Sequence, residues 1–319
     1  MASPVAERTA PAPTPQLQKG EARRRRRFPW FVYVGLLPLF ALLGVLAYYP
    51  AVSGIYHSFF DWRPGFDSPF VGLENYRTMF ADELWWDSFK NLGYIFLVSV
   101  TVMWFFPLLA AELVISLKSE RLQFVFRTVL IFPLAFPGVV TVLVWSFIFD
   151  PNDGMLNQAL NAIGLDSLAH NWVGDPATAL PALLVIGFPW VASLPFLVFL
   201  TALQNIPKEV LEAASLDGCG RLRRVFSIDL PLMAAQMKLL FFLATISVLQ
   251  FGFAAYLVTG GGPDNATQVP VLRMIGVAFE GSDWGYAATL SSTLFVITAL
   301  LSGALTLIRR KENSDVRAL

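Results

Sequence analysis

Residues Glu212–Pro231 read EAASLDGCGRLRRVFSIDLP, a polar and basic island between two apolar stretches. Pro207, whose fixed φ suits the first helical position, and the good helix formers from Lys208 to Asp217 predict a short helix starting near Pro207. Gly218 accepts the left-handed conformation that ends such a helix. Arg221–Ser227 is expected to form a second short helix, with Leu222, Val225 and Phe226 on one face and Arg221, Arg223 and Arg224 carrying charge. Pro231 lies near its end. A helix, a glycine corner and a helix make a rigid projection of the kind that docks into a groove on another protein. A merely basic loop explains the arginines but not the register of Glu212, Ala213, Ala214, Gly218, Ile228, Leu230 and Pro231.

The stretches on either side of this island set the class. Hydrophobic residues make up 55% of the chain and charged residues 14%, with a mean hydropathy of +0.58. These values lie far from an ordinary soluble domain and predict an all-α integral membrane protein. The single cysteine, Cys219, excludes an internal disulfide and a thiolate cluster, and the two histidines, His57 and His170, form no HExxH site. GxxxxGK[ST] occurs nowhere in the sequence, so the glycine triplet Gly260–Gly262 reads as a turn. No catalytic residue, metal or cofactor site is expected in the chain itself.

Hydropathy predicts six transmembrane helices: Phe31–Tyr49, Leu92–Leu117, Phe124–Phe149, Leu180–Leu203, Leu239–Val258 and Tyr286–Ile308. They compose a membrane domain over 28–310 with the island inside a loop at 205–231. A basic tail, 1–27, rich in Ala, Pro, Thr and Arg, is expected to be disordered, and 311–319 forms a second tail. No small-residue cleavage pattern follows Tyr48, Tyr49 and Pro50, so the first span is read as retained. If the run Arg23–Arg27 is cytoplasmic, 19 basic residues lie on that side and four, Arg63, Arg77, Lys90 and Arg273, outside. The positive-inside rule then puts both termini and the island in the cytoplasm of a cell that carries the chain in its plasma membrane. Topology accounts for the arginines without a nucleic-acid partner. Prolines 133, 137, 181, 189 and 195 interrupt the third and fourth spans, which favours a bundle with an internal pathway. Glu112 is a carboxylate within a span, yet it lies six residues from Lys118, about 9 Å along a helix, so it reaches toward the cytoplasmic interface and is assigned no proton relay.

The island matches EAA, three residues, Gly, nine residues and I-x-L-P, and so resembles the EAA loop of ABC-transporter permease subunits. Three further segments resemble carbohydrate-type permeases: Phe70–Tyr76 (FVGLENY), Thr259–Thr267 (TGGGPDNAT) and Trp284–Ala288 (WGYAA). The resemblance runs from Phe70 to Ala288 and implies one permease subunit of a binding-protein-dependent ABC importer, similar to maltose and glycerol-3-phosphate transporters. It further implies a second homologous permease, a dimer of ATPase subunits that hold ATP and Mg, an extracytoplasmic solute-binding protein and surrounding lipid. Glu212 would contact the ATPase, with Gly218 as the corner; Cys219 and Gly220 stand where the family usually has a small Ala or Ser. Contacts to a sugar are expected from inward-facing polar and aromatic groups, including Trp145, Ser193, Ser247, Gln250 and Tyr256. The alternatives are a permease for another small solute and an ion-coupled secondary transporter, although the latter often shows paired intramembrane charges where this chain offers Glu112.

This topology makes Cys219 a native probe. An impermeant thiol reagent is expected to leave it unlabelled in intact cells and to label it once the membrane is opened; labelling from outside would reverse the orientation.

Overall fold

The computed structural model describes residues 30–317. The expected tail 1–27 lies outside the described residues. The chain divides into two units, Met1–Tyr49 and Pro50–Leu319. In the first, the helix Trp30–Leu43 passes into one wide turn, Gly44–Tyr48. The second holds the elements that follow Pro50. The described residues contain no strand, only an isolated bridge between Phe60 and Phe70.

Among the described residues, four helices are long and apolar enough to cross a membrane: Val34–His57, Glu83–Ser116, Ala234–Val258 and Trp284–Leu307. The other two expected spans are not continuous helices. Phe124–Phe149 is a bent pair, Glu120–Ala135 and Gly138–Ile148, folded by 92° at its break. Pro133 and Pro137 supply no N–H there, so the helix tightens over Phe132–Ala135 and restarts. Leu180–Leu203 is two short apolar helices, Pro176–Val185 and Ser193–Gln204. Gly187 and Trp190 adopt positive φ between them, which no helix continues through. Hydropathy reads apolar length and is blind to both interruptions. Two other boundaries move. The second span begins earlier, at Glu83, because Asp82 accepts a hydrogen bond from the Trp85 N–H and caps it. The last helix continues to Arg317, through most of the expected tail 311–319.

Two apolar clusters organise the second unit. One gathers Trp85, Leu92, Ala255, Val269, Tyr286 and Leu290 around the ends of the helices that precede and follow the glycine turn. The other gathers Ala111, Val114, Phe196, Phe199, Leu200 and Met233 beside the Glu212–Pro231 island. The segment Phe70–Tyr76 is a clasp. Asn75 Nδ2 donates to the carbonyls of Ser58 and Phe60, both at 3.0 Å, while the Val71 and Gly72 N–H groups donate to the Phe59 carbonyl. The last helix closes on this clasp: Thr289 Oγ1 donates to the same Ser58 carbonyl at 3.0 Å. A Cβ on Gly285 would collide with the Phe60 carbonyl and stand 2.8 Å from the Trp62 nitrogen, so only glycine permits this approach.

An ion-pair cluster ties the cap of the second span to the later elements. Asp82 Oδ2 accepts from Arg273 Nε at 2.9 Å and from the Tyr286 hydroxyl at 2.6 Å. Burial pushes the Asp82 carboxyl up, but the hydrogen bonds from Tyr286, Arg273 and the Trp85 N–H outweigh it and hold the group below the usual aspartate value.

Gly285→Ala is expected to destabilise the detergent-purified protein by about 1–3 kcal/mol, whereas Gly303→Ala, where a Cβ meets nothing within 4 Å, should leave thermal unfolding unchanged. Because the Asp82 pKa is lowered on folding, its contribution is present above the unfolded value of about 4 and is lost as pH falls through the lower folded value. Asp82→Asn should therefore unfold at lower temperature than the native protein at pH 7, with the difference vanishing in strong acid.

Candidate functional site

The island folds as a corner held from one side. Lys208–Leu216 is helical, and its end is a Schellman closure: the Gly218 N–H donates to Ser215 O at 3.1 Å and the Cys219 N–H to Ala214 O at 2.9 Å. Gly218 has φ +68°, as the corner requires, and open space around it, so backbone conformation rather than room demands glycine. The second helix is shorter than expected. Arg221–Arg224 is α-helical, and Val225–Asp229 then widens into a π turn whose closing bond runs from the Leu230 N–H to Val225 O. Pro231 follows at once; lacking an N–H and crowding the preceding turn, it disfavours ordinary α-helical closure here.

The inner side of the corner is buried. Ala214 is buried, and Leu211 and Leu230 pack against the cluster containing Phe196, Phe199 and Met233. Ile228 is half-buried, and Glu212, Ala213, Gly218 and Pro231 are exposed. The outer side is apolar and bare: Leu216 is 89% exposed, Leu222 77% and Phe226 68%. Of the expected face Leu222, Val225 and Phe226, Val225 turns partly inward and the other two stay out.

Glu112 meets this loop. Arg224 Nη2 donates to Glu112 Oε2 at 3.1 Å and Arg224 Nε donates to Asp229 Oδ2 at 3.0 Å. The carboxylate is therefore turned toward the Glu212–Pro231 loop, with the loop arginine Arg224 as its partner. The Arg224–Asp229 half was not foreseen. Its only sequence signal is an acid in the middle of the I-x-L-P signature.

The five residues expected to touch solute do not share one cavity. Ser193 is buried, and its hydroxyl donates to Leu130 O at 3.0 Å. It lines a cavity of about 320 Å³ with Pro133, Gly187 and Trp190, where the two broken spans face one another. Trp190 Nε1 donates to the Leu184 carbonyl at 2.8 Å, satisfying a group near the helix break. Tyr256 lines a different, more polar cavity of about 550 Å³ with Asn265, Gln268, Arg273, Glu280 and Tyr286. Trp145 is half-buried, its ring centroid 5.4 Å from that of Phe149. Its helix, Gly138–Ile148, packs on Phe253–Val258, which carries Tyr256. Ser247 and Gln250 are exposed, and Gln250 ends the helix Ala234–Leu249.

Known proteins resemble this chain in sequence and in fold. The diacetylchitobiose uptake system permease protein NgcF of Streptomyces coelicolor is 29% identical, with 96% of this chain and 91% of that protein covered. The sn-glycerol-3-phosphate transport system permease protein UgpA of Yersinia pestis is 34% identical over 88% of this chain and 92% of its own. The sulfoquinovosyl glycerol transport system permease protein SmoG of Agrobacterium fabrum is 31% identical over 87% and 90%. Among solved structures, a chain of a bacterial ABC transporter involved in the import of the acidic polysaccharide alginate superposes with a TM-score of 0.76. It covers 88% of this chain and 96% of that one at 20% identity, a likeness of fold. The family described as binding-protein-dependent transport system inner membrane component matches residues 103–312, from the middle of the second span through the last helix, and this chain belongs to it.

Proposed function

We propose that this chain is the permease subunit of an ATP-driven importer for a sugar or related carbohydrate, and that Glu212–Pro231 is the surface on which partner ATPase subunits dock. The observation that carries the reading is the two-sided corner: its inner face is packed into the membrane bundle, while Leu216, Leu222 and Phe226 stand bare beside the exposed Glu212. Exposed apolar side chains on a rigid, partly charged projection suit a groove on a protein partner. The named solutes of NgcF, UgpA and SmoG support a carbohydrate-type cargo.

In this reading the ATPase subunits hold ATP and Mg, a second homologous permease completes the pathway, and an extracytoplasmic solute-binding protein delivers the cargo. The chain itself carries out no chemical step. Both termini and the loop lie in the cytoplasm, consistent with the 19 to four division of basic residues. Closure of the ATPase dimer moves the corner, and the bundle rocks between outward and inward access. Ser193 and Tyr256 contribute to the pathway from their two cavities. Trp145, Ser247 and Gln250 face the path shared with the second permease.

Glu212→Lys reverses a charge on the docking face, and Gly218→Val forces a β-branched residue into left-handed backbone at a cost of about 1–2 kcal/mol or more. Each is expected to lower solute uptake by about tenfold or more and to reduce the ATPase that co-purifies, with the protein still inserted in the membrane. Normal uptake in both variants would reduce the loop to a connector.

A further inference from the structure

We propose that Arg224 is a transmission joint: through Glu112 and Asp229 it carries movement of the docking corner into the long helix Glu83–Ser116. The inference rests on the reading of the corner as the ATPase-docking surface.

Three charged side chains from two separate segments converge here. Arg224 lies on the short helix Arg221–Arg224 and Asp229 at the end of the π turn that follows. Glu112 lies 112 positions earlier, on Val102–Ser116. The Asp229 side chain is 0% exposed, that of Glu112 10% and that of Arg224 27%. Glu112 Oε1 and Asp229 Oδ1 are buried and have no hydrogen-bond partner. The two acids also lie against each other, so withdrawing the arginine they share would leave two facing buried acids without the hydrogen bonds it supplies.

This dependence makes the contact directional. The apolar packing of Leu211, Ala214 and Leu230 resists separation but specifies no single register, whereas a guanidinium shared between two carboxylates fixes both distance and angle. When the corner shifts, Glu112 must follow. Glu112 belongs to an apolar helix that runs from Glu83 to Ser116, and the residue that caps its far end, Asp82, is paired with Arg273 and Tyr286. A displacement entering at Glu112 therefore reaches the ion-pair cluster at the other end through two helices, Val102–Ser116 and Glu83–Val100, joined end to end at Thr101. The loop's other arginines are exposed, and Arg221 acts on Glu112 only as a nearby charge, without the hydrogen bond that Arg224 makes.

The test uses the assembled transporter in proteoliposomes, reading solute uptake, ATP hydrolysis and the amount of co-purifying ATPase for Arg224→Met, Arg224→Lys and Glu112→Gln. Arg224→Met keeps length and removes charge. It is expected to retain the ATPase subunits but raise the ATP hydrolysed per solute imported by about tenfold. Arg224→Lys keeps the charge but not the fork that spans both carboxylates, and should leave that ratio between the Arg224→Met and native values. Glu112→Gln, the gentler change, should raise the ratio to an intermediate extent, and it decides the matter if Arg224→Met does not assemble. A merely stabilising role would lower uptake and hydrolysis together; an unchanged ratio in the variants that assemble overturns the proposal. Loss of the ATPase subunits from Arg224→Met together with a native ratio in Glu112→Gln would make Arg224 a docking residue, overturning the joint but sparing the corner's assignment. Glu212→Lys that still docks and transports normally, beside an uncoupled Arg224→Met, would spare the joint and overturn that assignment.

Discussion

Burial of one face of a short corner between two spans is the interaction on which the proposed coupling depends. Ala214, Leu211 and Leu230 close onto a core whose members, Ala111, Phe196, Phe199, Leu200 and Met233, come from three separate segments. Without that packing, Lys208–Leu216 would be a nine-residue helix in water, too short to hold its shape. With it, the corner becomes an extension of the bundle, and a push on its outer face reaches the helices rather than dissipating in a loop. Gly218 completes the device by reversing the chain where the apolar contact ends.

The bilayer imposes the second constraint. In hydrocarbon each backbone N–H and C=O must find a partner within the protein, so broken helices survive only where neighbours cover the break. The two interrupted spans meet this by facing each other: Ser193 donates across to the Leu130 carbonyl, and Trp190 donates to the Leu184 carbonyl. A cavity remains between them, and the same interruptions that prevent continuous spans create an interior able to rearrange.

Much of this was legible in the sequence, and the misses have physical causes. The membrane class and the four continuous spans follow from apolar length, which is what hydropathy measures. The glycine corner follows from the left-handed conformation that Gly218 adopts. The 92° bend at Pro133–Pro137 was anticipated as a kink but not in size, because a proline removes a bond without fixing where the chain goes next. The π turn at Val225–Asp229 was read as plain helix, since its residues are ordinary and only Pro231 downstream betrays it. Asn75 in FVGLENY holds the Ser58 and Phe60 carbonyls, a role the sequence does not show because a signature for a tertiary clasp names no partner. Arg224 and Glu112 each stand out in the sequence, but no local spacing joins residues so far apart.

The central claim is that the bare face of the corner is covered by another protein while its inner face stays fixed. Hydroxyl-radical footprinting of Leu216, Leu222 and Phe226 tests this most directly, in the permease without its ATPase subunits and in the assembled transporter. The account predicts that all three, between 68% and 89% exposed in the isolated chain, lose most of their reactivity on assembly, with Met233 unreactive throughout. Equal reactivity in the two states would contradict it.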